Sequence, residues 1–303
     1  MKLKIAELDI VYLSYDEPNA EENYADLLSK VPWAKRVHGV HGSDAAHKAC
    51  AELSETDRFI TVDGDNTIDQ KFLNQTIDLG QSDMSKCVIS WCGKNIINGL
   101  TYGNGGLKCW PKEYVLNMKT HENASPDNPH AQVDFCWDAE YIQVRDTFSI
   151  THNNTTPYQA WRAGFREGVK MTLLDGVRVP VDEIKQRIWW HNLHRLKIWS
   201  TVGAHEEHGS YAIHGARLGQ WMANCTAWNY VDVRDFEILK NIYNENVNHD
   251  NLEHDIQDLG YRIKKDMGFD YPYLNAQQSK YTLDIYDEAI DLGLTYYAVV
   301  ENV

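Results

Sequence analysis

Residues 57–66 read Asp-Arg-Phe-Ile-Thr-Val-Asp-Gly-Asp-Asn. Phe59 to Val62 is a short apolar run of the kind that forms a buried strand, and it ends on two carboxylates, Asp63 and Asp65, on either side of Gly64. Glycine between two acids lets the chain turn sharply and can bring both side chains to one point. Paired carboxylates at a strand's carboxyl end are hard oxygen ligands suited to Mg²⁺ or Mn²⁺. An ion held there would bind phosphates, so the motif points to nucleotide-sugar or phosphoryl chemistry.

The flanking sequence gives this strand its place in a fold. Residues 8–14 are dense in apolar side chains, as expected of a strand covered on both faces. Asn19, with Glu22 three residues on, has the form of a capping box for a helix to about Ser29. Lys35 to Val40 reads as a second strand. Gly42 and Ser43 open a second helix, with Ala45, Ala46, Ala49, Cys50 and Leu53 on one face. Two strand–helix units leading into a third strand predict a parallel sheet with right-handed crossovers. Ligands of such sheets bind beyond the carboxyl ends of the strands. That edge would carry Ser14, Tyr15, Asp16 and Glu17, then Gly42, Ser43 and Lys48, then Asp63 to Asp65.

Further on, residues 70–79 read as helix, 87–91 as strand and 95–110 as an Asn/Gly-rich loop, in which Gly105 and Gly106 would let the backbone approach a ligand. A helix is expected near 112–118, a polar loop of lid type at 120–132 and a strand at 147–151. Helices are expected at 161–170, 181–199, 215–229, 233–246 and 250–266. The expected division is an α/β domain over 1–180 and a mainly helical extension over 181–303.

Composition sets bounds. The chain has 303 residues, enough for a large core, and its net charge of −15 argues against broad attraction to nucleic acid, although a local basic patch could provide it. Its 10 Trp and 17 Tyr suit either a large core or a site for flat ligands. None of the six cysteines forms a Cys-x-x-Cys pair, which fits free thiols in a reducing compartment. With no leader-like or membrane-length apolar run, the expected location is cytoplasmic.

Two chemistries place acids on such a strand end. In GT-A glycosyltransferases they hold a divalent ion on the diphosphate of a nucleotide sugar. In haloacid-dehalogenase-type phosphatases the motif is Asp-x-Asp-x-Thr, which Asp63-Gly-Asp-Asn-Thr67 also matches, and the first Asp is the nucleophile. That motif belongs on the first strand of its domain, whereas two strand–helix units precede it here. It also needs a later acidic pair, and Asp175 and Asp182 lack the form.

Four blocks extend the comparison: Ser14-Tyr-Asp-Glu-Pro-Asn19, Gly42-Ser-Asp-Ala-Ala-His-Lys48, Val62-Asp-Gly-Asp-Asn66 and Ala160-Trp-Arg-Ala-Gly-Phe-Arg-Glu-Gly168. Together they resemble the TET-associated glycosyltransferases of tailed phages over about residues 8–175. The chain is also similar in general plan to phage enzymes that glycosylate hydroxymethylated DNA bases. The resemblance implies a GT-A (Rossmann-like) fold with a mostly parallel sheet flanked by helices. It further implies a nucleotide-sugar donor of the UDP-sugar type, a hydroxymethylated pyrimidine of DNA as acceptor, and a host-cytoplasm setting.

The remaining candidates keep two readings each. His152 follows a strand and is either a third metal ligand or a polar strand cap. Asp134 or Asp138 is either the base that an inverting transferase needs or a surface charge. Arg162 and Arg166, one helical turn apart, clamp phosphate or form ion pairs. Lys185, Arg187, Trp190, Arg195 and Lys197 form a basic-aromatic patch, which contacts DNA or is the outer face of a core helix. His205-Glu-Glu-His208 lines a site rim or a solvated loop. Besides the phosphatase, a transferase with a non-DNA acceptor and a non-catalytic nucleotide-binding protein also fit these residues.

Overall fold

The computed structural model describes residues 2–79, 87–103, 106–133 and 141–291. Two compact units share the chain: Met1–Asn95, Thr101–Ala124 and Phe135–His152 form the first, and Ile96–Leu100, Ser125–Asp134 and Asn153–Val303 the second. The division falls at 152/153, ahead of the helix containing Trp161, rather than near 180.

The first unit is built on β1 (Lys2–Lys4), β2 (Asp9–Ser14), α1 (Ala20–Lys30), β3 (Lys35–His38), α2 (Ser43–Leu53) and β4 (Arg58–Asp63). There follow β5 (Asn66–Ile68), β6 (Thr76–Asp78), β7 (Val88–Asn95), β8 (Thr101–Tyr102), β9 (Leu107–Pro111), α3 (Lys112–Asn117) and β10 (Tyr141–Thr151). The main sheet has the order β3-β2-β4-β9-β7-β10-β5, with β8 beside β7. β3, β2 and β4 are mutually parallel, as the two strand–helix units require. β10 is parallel to β7, whereas β9 runs antiparallel to both β4 and β7, and β5 antiparallel to β10.

Alternation along β2 and β4 sends successive residues to opposite faces. Ile10, Tyr12, Ile60 and Val62 pack under Ala20 and Leu27 of α1, and Val11 and Phe59 pack with Cys50 and Ala51 of α2 and Val115 of α3. With helices on both faces, this is an α/β class as expected, but the sheet is mixed, because β9 and β5 run antiparallel to their neighbours.

Three local expectations are corrected. Residues 70–79 are a 3-10 turn (Gln70–Asn74) and then β6, which pairs with β1. Residues 95–110 contain β8 and β9; the alternation of Leu107, Cys109 and the half-exposed Lys108 is a strand signal masked by the neighbouring glycines. Asn19 makes no side-chain cap on α1 and instead donates from Nδ2 to the carbonyl of His152, 3.2 Å away.

The second unit is mainly helical: α4 (Pro129–Val133), α5 (Pro157–Lys170), the hairpin β11 (Leu173–Leu174) and β12 (Val177–Arg178), α6 (Ile184–Arg187), α7 (Trp190–Trp199), α8 (Gly209–Cys225), α9 (Phe236–Asn246), α10 (Leu252–Met267) and α11 (Ala276–Asp291). The helix expected over 181–199 breaks at Ile188 and Trp189, where the backbone is extended. The break keeps Ile188 in a core with Ile184, Ile263 and Met267 while Trp189 stays exposed. Trp161, Phe165, Leu218, Leu239 and Ile242 form the main core.

Arg217 lies inside this unit at 1% exposure, with 2.8 Å hydrogen bonds to the carbonyls of Ser200, Ile256 and Pro272. Burial pushes its pKa down to about 10. Backbone carbonyls thus supply the compensation that a buried cation requires.

Trp91, Trp110, Trp161 and Trp199 are fully buried and serve the core, whereas Trp33, Trp189 and Trp190 are exposed. The described cysteines are free thiols, and Cys136 lies outside the described residues. No described helix is long and apolar enough to cross a membrane.

Candidate functional site

The acidic motif forms the turn from β4 to β5, at the carboxyl edge shared with β2 and β3. Its backbone is held from several sides. The Asp63 N–H donates to the carbonyl of Gly106 at 3.0 Å. The Gly64 carbonyl accepts from the Tyr12 hydroxyl at 2.5 Å and from Asn23 Nδ2 at 3.0 Å. The His152 N–H donates to the Asp65 carbonyl at 2.7 Å, and Asn66 Nδ2 donates to Asp65 Oδ1 at 2.7 Å. Gly64 is required by close approach: a Cβ there would lie 2.5 Å from Glu17 Oε2 and 3.0 Å from Ser14 Cβ. Glu17 itself accepts the Tyr15 N–H at 2.7 Å. Of the expected nucleotide-edge residues, Ser14, Glu17, Asp63, Gly64 and Gly106 are therefore brought together.

The Asp63 carboxyl sits in an unfavourable place for a negative charge. Burial pushes the Asp63 carboxyl up to about 6; Lys108 pulls against that shift, and the nearby Glu17 carboxylate adds to it. Lys108 stands on β9 beside Thr61 of β4, with its ammonium 5.8 Å from the Trp110 ring centroid. His47 of α2 meets the same tryptophan edge-on at 5.7 Å. Its pKa falls to about 4 through burial, with Lys108 contributing, and its Nδ1 lies 2.8 Å from the Ser43 carbonyl. A carbonyl can only accept, so Nδ1 carries the proton. Sequence reading missed both Lys108 and His47, because only the register of β9 on β4 brings Lys108 to the motif.

The turn carries two carboxylates, those of Asp63 and Asp65. Mg²⁺ and Mn²⁺ commonly take one or two protein carboxylates and complete their shell with water and substrate phosphates. The raised Asp63 carboxyl beside Glu17 marks a place where added positive charge would be favourable. His152 is not gathered with the two aspartates in a group of three candidate ligands. Among the described residues no three His, Cys, Asp or Glu side chains converge on a metal position. The His152 Nε2 sits 2.9 Å from Thr67 Oγ1, and burial lowers the ring's pKa.

The start of α2, expected from sequence to lie on the ligand-binding edge, already holds a carboxylate. The Ser43 and Asp44 N–H groups donate to Glu122 Oε2 and Oε1 at 2.8 and 3.0 Å. Asp44 answers by accepting from the Thr120 N–H at 2.5 Å and from Asn123 Nδ2 at 2.6 Å. An anion at a helix N-terminus is favourable, and here it comes from the chain's own 120–123 segment. The beginning of the expected lid is thereby fastened to α2. Lys48, one turn after Asp44, bears on the Asp44 carboxylate.

Burial tends to raise the Asp44 carboxyl, but the hydrogen bonds from Thr120 and Asn123 outweigh it and hold the group below the usual range. With its folded pKa below the unfolded value of about 3.9, Asp44 contributes stability present above that value and lost as pH falls through the folded pKa. Asp44→Asn should therefore lower the melting temperature at neutral pH and flatten its fall below about pH 4. An unchanged acid limb in pH-dependent melts would refute this role.

Beside the motif, a polar network continues along the edge. Ser14 Oγ is 2.9 Å from His38 Nδ1, and Arg36 Nε donates to Ser14 Oγ at 3.2 Å. Arg36 also makes a bidentate pair with Glu21, at 2.9 and 2.7 Å. Tyr15 is 46% exposed and meets the His41 ring at 6.1 Å, placing two aromatic rings on this rim; Asp16 is also exposed.

Other candidates fall elsewhere. Arg162 and Arg166 belong to the second unit, where both lie against the ring of Phe236. Lys185 donates to the Gly268 carbonyl over the Phe269 ring, and Arg187 pairs with Glu183 at 2.9 Å. Arg195 Nη1 is 3.5 Å from Asn192 Oδ1, while Lys197 and Trp190 are exposed. His205 Nδ1 lies 3.0 Å from Ser279 Oγ, so that loop is tied within its own unit. Gly105, Asp134 and Asp138 lie outside the described residues.

Among solved structures, the chain is similar to a glycosyltransferase involved in the glycosylation of the major capsid of PBCV-1. That likeness has 14% identity, spans 49% of this chain and 94% of that one, and has a TM-score of 0.30. HddC from Yersinia pseudotuberculosis is matched at 15% identity over 47% of this chain and 71% of that one, with a TM-score of 0.27. No family model and no curated protein matches the chain. Overlaps this partial leave the function to be argued from the site itself.

Proposed function

We propose that this chain is a metal-dependent glycosyltransferase that takes a sugar from a nucleotide-sugar donor, with UDP the nucleotide favoured. The observation that carries the reading is the Asp63-Gly64-Asp65 turn at the carboxyl end of a central parallel strand, held through the Gly64 carbonyl and with the Asp63 carboxyl raised by burial. Asp63 and Asp65 would hold Mn²⁺ or Mg²⁺, which supplies positive charge to the leaving diphosphate. The Ser14–Glu17 loop would border the nucleotide. Tyr12 and Asn23 fix the turn through the Gly64 carbonyl. Lys108 faces Asp63 and would bear on the same charge.

We infer a hydroxylated acceptor, and from the family resemblance a hydroxymethylated pyrimidine of DNA. Asp134 or Asp138 is the proposed base. The phosphatase alternative has its motif threonine, but Thr67 is engaged with His152, and the acids end the third parallel strand rather than the first.

Incubation with Mn²⁺ and a panel of UDP-sugars should release UDP, and omission of the ion should stop it. No release or thermal shift with any nucleotide sugar would overturn the reading. Release of phosphate from p-nitrophenyl phosphate would replace it with the phosphatase.

A further inference from the structure

We propose that α5 and α9 together form a binding shelf for a phosphate-ester anion, built from Arg162, Arg166 and Lys240 over Phe236 and Tyr158. Tyr158, Arg162 and Arg166 recur every four residues and share one face of α5, and Phe236 and Lys240 do the same on α9. The two faces interlock. Arg162 of α5 lies over Phe236 of α9, 4.4 Å from its centroid, and Lys240 of α9 lies over Tyr158 of α5 at 4.1 Å. Arg166 approaches the same Phe236 ring at 5.3 Å, and the Tyr158 hydroxyl ties the helices by donating to the Phe236 carbonyl at 3.0 Å.

Hydrogen bonding then indicates a ligand. A guanidinium over a ring uses its flat face and leaves its in-plane N–H groups needing acceptors, and an ammonium keeps donors pointing away from the ring. Among the described residues, neither Arg162 nor Lys240 has a hydrogen-bond acceptor or an ion-pair partner; their ring contacts are the interactions they make. Three cations therefore gather on one aromatic platform in a chain of net charge −15. Their mutual repulsion favours an anion with several oxygens, and Arg is the side chain that matches phosphate bidentately. Phe236, 42% exposed, adds a flat apolar surface of the sort on which a base can stack. The phosphate could come from a single nucleic-acid strand or from a nucleotide, and both carry this chemistry. The shelf stands on its own contacts and does not depend on sugar transfer.

The test compares the full chain with Arg162→Met/Lys240→Met, in which the apolar stems still cover the rings. Binding of a short oligothymidylate and of UDP is measured at roughly 50 and 200 mM salt, with melting followed in parallel. The double variant should bind one of these probes about 10-fold more weakly, with a salt slope shallower by roughly 1.4 for the oligonucleotide, while its melting stays close to wild type. Loss with the oligonucleotide alone assigns a nucleic-acid strand; loss with UDP assigns a nucleotide. Should the double variant fail to fold, Lys240→Gln at the exposed position should still weaken the same probe about 3-fold. Wild-type protein that binds neither probe, or affinities unchanged within about twofold in the variants, overturns the proposal.

Discussion

Gly168→Val should destabilise the second unit by about 3 kcal/mol or more, and Gly164→Ala by about 2 kcal/mol. In α5 a Cβ at Gly164 would lie 2.0 Å from the Ala212 carbonyl oxygen, and one at Gly168 2.3 Å from that of Ala216. α8 returns the contact: a Cβ at Gly215 would lie 2.2 Å from the Trp161 oxygen, and one at Gly219 2.3 Å from the Phe165 oxygen. All four obstacles are backbone, so no side chain can swing aside. The helices would have to separate, and Trp161, Phe165 and Leu218 of the main core would lose packing with them. The sign is diagnostic. In a helix without this contact, Gly→Ala should stabilise by about 1 kcal/mol through propensity alone. Chemical denaturation reads the difference directly, and a stabilised Gly164→Ala would show that the helices are not in backbone contact.

The same glycines show how far the sequence could be read. Trp161–Gly168 was the block most suggestive of a family, yet Trp161, Gly164, Phe165 and Gly168 are all buried in helix packing, leaving its arginines at the surface. α8 runs over Gly209–Cys225, six residues ahead of the expected start at 215. The parallel β2-β3-β4 core was legible because its apolar runs and helix faces are local signals. β9 was not, since its register depends on strands distant in sequence. The Glu122 carboxylate on α2 was invisible for the same reason: nearly eighty residues separate the partners, and nothing local in the 120–132 segment announces the contact. The contact between the His152 ring and Thr67 was likewise invisible, since 85 residues separate them.

Neutralising Asp63 should move stability and ion response in opposite directions, which a purely structural turn would not do. In Asp63→Asn the side chain keeps its shape but loses a charge that burial and Glu17 both penalise, with Lys108 only partly offsetting them. The metal-free variant should therefore melt at or above the wild-type temperature, while the rise in melting temperature on adding Mn²⁺ with UDP should vanish. Asp65→Asn, which keeps a side-chain oxygen for the Asn66 Nδ2 donor, should lose the same response. The Asp65 backbone carbonyl, not its side chain, carries the bond from His152, and the Tyr12 and Asn23 bonds go to Gly64. Loss of a residue that merely orients a metal ligand typically costs 10- to 100-fold in affinity, so removing a ligand outright should cost about 100-fold or more. Calorimetric titration of UDP with and without Mn²⁺ separates the two contributions. If Asp63→Asn lowers stability and leaves the Mn²⁺ response intact, the carboxylate is a structural member of the turn, and the ion does not bind there.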